Sequence, residues 1–306
     1  MYLIKAIPIA RGIGVDTLSY WSPREVVSGS LIRVPLRKRT VGAIVVSSES
    51  VIESKSEIKG ANFSIKKIAN PHTKSIIFPE FFKTALWAAS HYAGSIGSVL
   101  FELLPSPVLS MYEKLPDALK IVIRNRPRES FVIQKNDEDR FAHYKSLIRE
   151  RFARKESVFM VMPTVEDIKK ACSYFEKGIE PYIYVIHGGL GKIEIIKQWK
   201  AILAEEHPVI IVATGQFLSI PRRDIGIIIV ERENSRSYKT QSRPYLDFRY
   251  VAEHFAIAIS ADFIMGDSCL RVETLYRSDE GDLVPYAPLG MRSLSTARDS
   301  LIDMKI

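Results

Sequence analysis

The sequence predicts a mainly β first domain followed by a three-layer α/β domain, and three observations predict it. Short apolar runs broken by Gly, Pro and charge fill the first 70 residues. From about residue 119, continuous apolar runs alternate with amphipathic helical segments, the pattern of a parallel sheet covered on both faces. A chain of 306 residues, 46% hydrophobic and 25% charged, suffices for two such cores.

In the first domain, Tyr2–Ile9, Leu31–Leu36 and Val41–Ser47 read as strands, with Arg37-Lys38-Arg39 between the last two as a basic hairpin. Ser47–Gly60, rich in Ser, Glu and Lys, reads as a loop. Pro79 suits the first turn of a helix, in which Phe82, Ala85, Leu86, Ala89 and Tyr92 recur at helical spacing. A second helix, Ile96–Leu104, is ended by Pro105 and Pro107. The expected domains are therefore 1–108 and 119–277, followed by an irregular tail, 278–306. Strands in the second domain are expected at Ile121–Arg124, Val158–Met162, Tyr182–Ile186, Val209–Ala213, Ile225–Val230 and Phe263–Met265. Helices are expected at Asp139–Arg154, Thr164–Phe175, Lys192–Ala204 and Phe248–Ala258. Thr164-Val-Glu-Asp167 has the form of a capping box with Asp in place of Glu.

The formal net charge is +8, and it is unevenly spread. Residues 1–110 hold 13 Lys/Arg against 7 Asp/Glu, whereas the remainder hold 30 against 28. A basic domain joined to a near-neutral one points to a polyanion partner such as DNA or RNA; the plainer reading is a solvated basic surface. No apolar run approaches the ~18 residues of a membrane span, so no membrane partner is expected. The N-terminus lacks the pattern of a signal peptide. Cys172 and Cys269 stand far apart, without metal-ligand spacing, so no zinc is expected. Few cysteines and no export signal suggest the cytoplasm.

Arg33-Val-Pro-Leu36 followed by Val41-Gly-Ala-Ile-Val-Val46, then Leu86-Trp-Ala-Ala-Ser-His-Tyr92 and Gly97–Pro105, resembles in order the 3′ DNA-binding domain of the primosomal protein N′ (PriA) replication-restart helicase family. Val161-Met-Pro-Thr164, His187-Gly-Gly-Leu190, Ile211–Pro221 and Ile227–Lys239 resemble segments of the first RecA-like lobe of that family. The likeness covers most of residues 3–276. It implies a β-rich 3′ DNA-binding domain followed by one RecA-like three-layer α/β lobe. The partners it implies are DNA, as a fork or single strand with a 3′ end, and replication-restart proteins. Leu18-Ser19-Tyr20 stands for the family's Phe-Asp-Tyr pocket triplet, whose Asp accepts a bond from the terminal 3′-hydroxyl. Ser19 keeps a weaker, uncharged acceptor, and Leu18 gives up stacking worth about 1–3 kcal/mol per base. Arg37 replaces a family Gly; with Lys38 and Arg39 it offers phosphate contacts or forms a solubilising hairpin tip. Lys66 matches a lysine that faces the DNA end. Tyr238 and Lys239 match family residues and either contact single-stranded DNA or pack internally.

The departures bear on catalysis. Where the family carries the phosphate loop Gly-x-Thr-Gly-Ser-Gly-Lys-Thr, this chain has Gln134-Lys-Asn-Asp-Glu-Asp-Arg-Phe141. It has no glycine to turn backbone N–H groups around an anion. Asp137, Glu138 and Asp139 place carboxylates where phosphates belong, a repulsion of several kcal/mol at low dielectric. Gln134, Asp137, Asp139 and Arg140 thus mark a degenerate loop, with Asp137 expected to cap the following helix. Glu231-Arg-Glu-Asn234 replaces Asp-Glu-Glu-His, so Glu231 and Glu233 keep carboxylates at catalytic positions while Arg232 adds a cation. Gly266-Asp-Ser-Cys269 replaces Gly-Ser-Ala-Thr. No match is found to the family's winged-helix domain, zinc-binding cysteines, second lobe or C-terminal domain. The expectation is a truncated, degenerate member with no catalytic residues and no cofactor, binding DNA without hydrolysing ATP. Two other readings stay open: an ATP-dependent 3′-5′ helicase, using ATP and magnesium, whose missing parts lie elsewhere; and a scaffold for replication proteins. His187-Gly-Gly-Leu-Gly-Lys192 has the wrong spacing for a phosphate loop and reads as a strand-to-helix turn. His187 has no paired carboxylate or nucleophile nearby in sequence to make it a catalytic base.

Overall fold

The computed structural model describes residues 1–50, 65–68, 73–121, 127–175 and 179–289. β1 (Tyr2–Pro8), β2 (Leu18–Ser22), β3 (Leu31–Leu36), β4 (Arg39–Ser50) and β5 (Lys66–Lys67) form one sheet in the order β3-β4-β1-β2-β5. Neighbours are antiparallel except β5, which runs parallel to β2. Leu36 faces Arg39 across the turn Arg37-Lys38, and Arg37 takes the left-handed φ of 52° that closes it. The expected basic hairpin is therefore present. Period-2 alternation divides the sheet. Ile4, Ala6, Ile32, Val34, Ala43 and Val45 fill a core on one face, while Ile7, Ile9, Leu31 and Ile44 meet helices on the other.

Those helices are α1 (Pro79–His91), α2 (Ile96–Leu103) and α3 (Ser106–Met111). Pro79 opens α1, and the Ser95 side chain caps α2 by accepting from the Ser98 N–H. α2 lies so close to β1 that a Cβ at Gly97 would stand 2.3 Å from the Pro8 carbonyl oxygen. The helical spacing predicts Phe82, Ala85, Leu86 and Ala89 on the packed face of α1. The buried stripe is instead Phe81, Thr84, Ala85 and Ala88, and Leu86 is 46% exposed. Both faces of α1 are apolar; the one that wins is the one whose Phe81 meets Phe255 edge-on, 5.3 Å between centroids.

Seven parallel strands make the second sheet: β6 (Ser130–Gln134), β7 (Ser157–Met162), β8 (Ile183–Ile186), β9 (Ile210–Thr214), β10 (Ile225–Glu231), β11 (Asp262–Asp267) and β12 (Val284–Pro285). Their order is β12-β6-β11-β10-β7-β9-β8. α4 (Asp137–Ala153) and α5 (Val165–Tyr174) cover one face, packing on Val158, Met160, Ile227 and Ile229. α6 (Lys192–Ala204) and α7 (Phe248–Ala258) cover the other, packing on Phe159, Val161, Ile228 and Val230; α8 (Val272–Asp279) follows β11. This is the expected three-layer α/β lobe. β2, β5, β6 and β12 were not anticipated. The tail expected from residue 278 contributes Val284–Pro285 to the sheet edge beside β6, because the fully buried Leu283 anchors it. Residues 122–124 of an expected strand, 51–60 of the expected loop, and 290–306 lie outside the described residues. No described helix is long and apolar enough to cross a membrane.

One hydrophobic core joins the two halves. Phe81, Val99, Leu100, Leu103 and Tyr112 share a contiguous buried cluster with Trp199, Phe217, Val251 and Phe255 of the lobe. Trp87 is stacked on His254 at 3.3 Å and on His91 at 4.9 Å. Phe81→Ala opens a cavity at this junction. It is expected to cost about 3–5 kcal/mol and to lower one common melting transition in calorimetry; a trace that splits, with only one part shifted, would contradict the shared core.

Candidate nucleic-acid interface and the crevice of the lobe

In β2, Tyr20 and Ser22 point inward, 2% and 0% exposed, so Ser19 and Trp21 lie on the opposite face. Tyr20 belongs to the core of the first sheet. Its hydroxyl has no hydrogen-bond partner among the described residues, and burial pushes the phenol up to about 12. The ring is therefore packed and not available to lie on a base, contrary to the role expected from the resemblance. Leu18 packs half-buried against the same core. The aromatic at the surface is Trp21: β5 runs beside β2 with Lys67 opposite Trp21, and the Lys67 ammonium lies 4.9 Å from the indole centroid. Sequence reasoning missed both residues. Treating Leu18–Ser22 as a strand would have found Trp21, since alternation from an inward Tyr20 puts Trp21 outside.

Lys66 and Arg37 do come together, as Lys66 Nζ donates to the Arg37 carbonyl at 3.3 Å. Arg37, Lys38 and Arg39 are exposed. With Arg11, Gly12, Ile13 and Leu36 they line a cleft of about 410 Å³. Arg11 is fixed behind it: Nε donates to Glu102 Oε1 at 2.7 Å, Nη2 pairs with the same oxygen, and the guanidinium lies 5.1 Å from the Phe101 centroid. A larger groove, about 940 Å³, separates Val45 and Val46 from Phe82 and Leu86 on the outer face of α1.

The carboxyl ends of β6, β10 and β11 meet in a crevice, the usual ligand position of an open parallel sheet. Here it is filled by protein side chains. β6 passes into α4 through only Lys135 and Asn136. Asn136, not Asp137, is the N-cap, accepting from the Asp139 N–H at 2.9 Å; its amide nitrogen also donates to the Asp139 carboxylate at 3.2 Å. Asp137 is displaced from the expected capping role because its carboxylate binds Arg140 Nη2 at 2.7 Å and Lys170. Gln134, buried, ends β6.

Arg140 is fully buried. Nη2 meets Glu231 Oε1 at 2.5 Å, Nε meets Oε2 at 3.0 Å, and Nη1 donates to the Lys135 carbonyl at 2.5 Å. Tyr144, one turn along α4, donates to Glu231 Oε2 at 2.8 Å. Burial works against the Arg140 charge, but Glu231 outweighs it and holds the guanidinium charged. Burial, then Glu231, push the Tyr144 phenol well above its usual range, so it stays a donor. A Cβ at Gly266 would fall 1.8 Å from the Tyr144 hydroxyl; only glycine leaves room there.

The other acidic positions are likewise engaged. Glu233, 0% exposed, accepts from the Arg271 N–H at 2.5 Å and from Thr274 Oγ at 3.1 Å, which ties it to the start of α8. Arg232 turns away through a φ of 54° and pairs with Asp167 at 2.8 Å. Asp267 accepts from the Asn234 and Ser268 N–H groups. Tyr238 is 1% exposed and packed, its hydroxyl 2.8 Å from the Val161 carbonyl and 2.5 Å from that of Glu231; Lys239 is exposed. His187 lies in a turn from β8 to α6, its Nδ1 accepting from the Gly189 N–H at 3.1 Å. Among the described residues no group of three or more His, Cys, Asp or Glu is placed to hold a metal ion.

The family model of the PriA 3′ DNA-binding domain matches residues 10–105. Replication restart protein PriA of Helicobacter pylori (strain J99) is 20% identical over 278 residues, covering 87% of this chain and 43% of that protein. Replication restart protein PriA of Treponema pallidum is 22% identical over 275 residues, 82% of this chain and 41% of that protein. The solved helicase domain of Pyrococcus furiosus Hef aligns at 14% identity and a TM-score of 0.37, over 51% of this chain and 34% of that one. The chain thus spans less than half the length of these curated relatives. Its first third thus matches a PriA 3′ DNA-binding domain, and most of its length is similar to PriA replication restart proteins.

Proposed function

We propose that this chain is a DNA-binding protein of replication restart that holds fork or single-stranded DNA through its first domain and neither binds nor hydrolyses ATP. The observation that carries the second half is the Arg140–Glu231–Tyr144 cluster, which occupies the crevice where a nucleotide's phosphates would sit. A triphosphate site needs free backbone N–H groups at a helix N-terminus, a free lysine and an acidic residue open to magnesium. Here Asn136 caps the helix, Asp137 pairs with Arg140 and Lys170, and Glu231 is enclosed. The residues do not fit ATP with magnesium, and no step of hydrolysis is derived from them.

DNA binding is supported by the match of residues 10–105 to a 3′ DNA-binding domain and by the cationic edge of the first sheet. Arg37, Lys38, Arg39, Lys66 and Lys67 supply sequence-independent phosphate contacts, and Trp21 offers the one surface aromatic of β2 for a base to stack on. Restart proteins are the natural class of protein partner, with the lobe as the supporting surface.

Calorimetric titration with ATP and magnesium is expected to give no binding tighter than about 1 mM; a micromolar constant would restore the helicase reading. Trp21→Ala is expected to weaken single-stranded DNA binding by about 1–3 kcal/mol in fluorescence anisotropy. Replacing Arg37, Lys38 and Arg39 together by Ala is expected to lower the slope of log affinity against log salt by about 1 for each phosphate that is no longer neutralised. An unchanged slope would remove the hairpin from the interface.

A further inference from the structure

The groove of about 940 Å³ between β4 and α1 is walled by apolar side chains that the fold leaves open to water. Ile7, Ile44 and Ile77 are its buried floor, while Val46 and Leu86 on its walls are 44% and 46% exposed. Each is exposed for a local reason. β4 slips against β1 beside Val46: Lys5 pairs with Ser47 and Ala6 with Val45, so Val46 is the extra residue of a bulge. Leu86 is left outside because Phe81 takes the inner face of α1 against Phe255. Among the described residues that line the groove, only Asp16 and Lys83 carry charge, one of each sign, and both are exposed. Apolar walls left open in this way mark a contact with another segment or molecule.

Three features name the occupant. Leu289, the last described residue, packs on the core cluster to which Ile7, Ile44 and Ile77 also belong, so residues 290–306 set out from the core that backs the groove. The chain that follows is long enough: residues 290–301 reach up to about 40 Å when extended, against a radius of gyration of about 19 Å for a compact chain of this length. Its composition matches. In Leu301-Ile-Asp-Met-Lys-Ile306 every second residue from Ile302 is apolar, and the two charges, Asp303 and Lys305, are of opposite sign, as are those of the groove. A strongly acidic or strongly basic partner finds no matching field there. We propose that Ile302, Met304 and Ile306 of this same chain seat in the groove between β4 and α1, with Asp303 and Lys305 at the rim beside Lys83 and Asp16. A segment held on the chain competes at an effective concentration on the order of millimolar, so it shuts the groove to a weak free ligand.

The test is disulfide trapping in the full chain, with Cys172→Ser and Cys269→Ser removing the two free thiols. Leu86→Cys/Met304→Cys places one thiol on the groove wall and one on the segment. Ile257→Cys/Met304→Cys is the control, because Ile257, 47% exposed on α7, lies outside the groove. Under oxidised glutathione the groove pair is expected to close within one chain about tenfold faster than the control pair. Adding Ile302→Asp/Ile306→Asp is expected to bring that rate down to the control's. Leu86 and Ile257 are both exposed, and an unchanged melting temperature of the reduced variants shows that they are folded. Equal rates for the two pairs, or a groove rate that survives the aspartates, overturns the proposal and leaves the groove to a partner molecule. A disulfide that forms only between two chains also overturns it and makes a second copy the occupant.

Discussion

The buried ion pair between Arg140 and Glu231 ties the first turn of α4 to the end of β10, and much of the lobe's chemistry follows from it. Two charges removed from water cost several kcal/mol each unless every donor and acceptor is met. Here they are met: the Lys135 carbonyl, Asp137 and Tyr144 complete the shell. Removing any one partner leaves a buried polar group exposed to a low dielectric, so the cluster is all-or-none. Its closure also forces glycine at position 266, where Tyr144 occupies the space of a side chain. In an open parallel sheet the carboxyl ends of the strands are where a ligand would bind; here a side chain supplied from within the fold stands in that place.

A lobe with its crevice shut still has mechanical work. α1 and α2 rest on one side against the first sheet, where Gly97 meets the Pro8 carbonyl, and on the other against α7 and residues 215–219. The five-stranded sheet is small, and its helical support is buried in a core continuous with the lobe. The cationic hairpin therefore projects from a platform stiffened by the seven-stranded sheet. Under the DNA-binding reading proposed above, pre-ordering the hairpin in this way would lower the entropy lost on capture of a flexible strand.

Much of this was legible in the residues. β7, β9, β10 and β11 are buried on both faces, so each appears as a continuous apolar run that sequence periodicity detects readily. β2 was not, because Leu-Ser-Tyr-Trp-Ser mixes apolar and polar types without clear alternation, and Tyr20 reads by resemblance as a ligand contact when it is a core residue. The helical character of α1 is plain but its buried face is not, since Phe81 and Phe82 are equally apolar and only the position of Phe255 decides between them. Asn136 and Asp137 are both good caps; the choice falls to Asn136 because Arg140 and Lys170 claim Asp137. Arg140 itself looks, in Asp-Glu-Asp-Arg, like one more solvated charge. Its spacing of four from Tyr144 was the available sign that both lie on the inner face of α4, but its partner Glu231 is 91 residues away and no local pattern reveals it.

A double-mutant cycle of Arg140→Met and Glu231→Gln, read by chemical denaturation, probes this pair most directly. Each single variant should lose about 3–5 kcal/mol, and the double variant should lose less than the sum by at least about 2 kcal/mol. Strictly additive losses would mean that the two side chains do not hold each other, and that the crevice is free for another occupant.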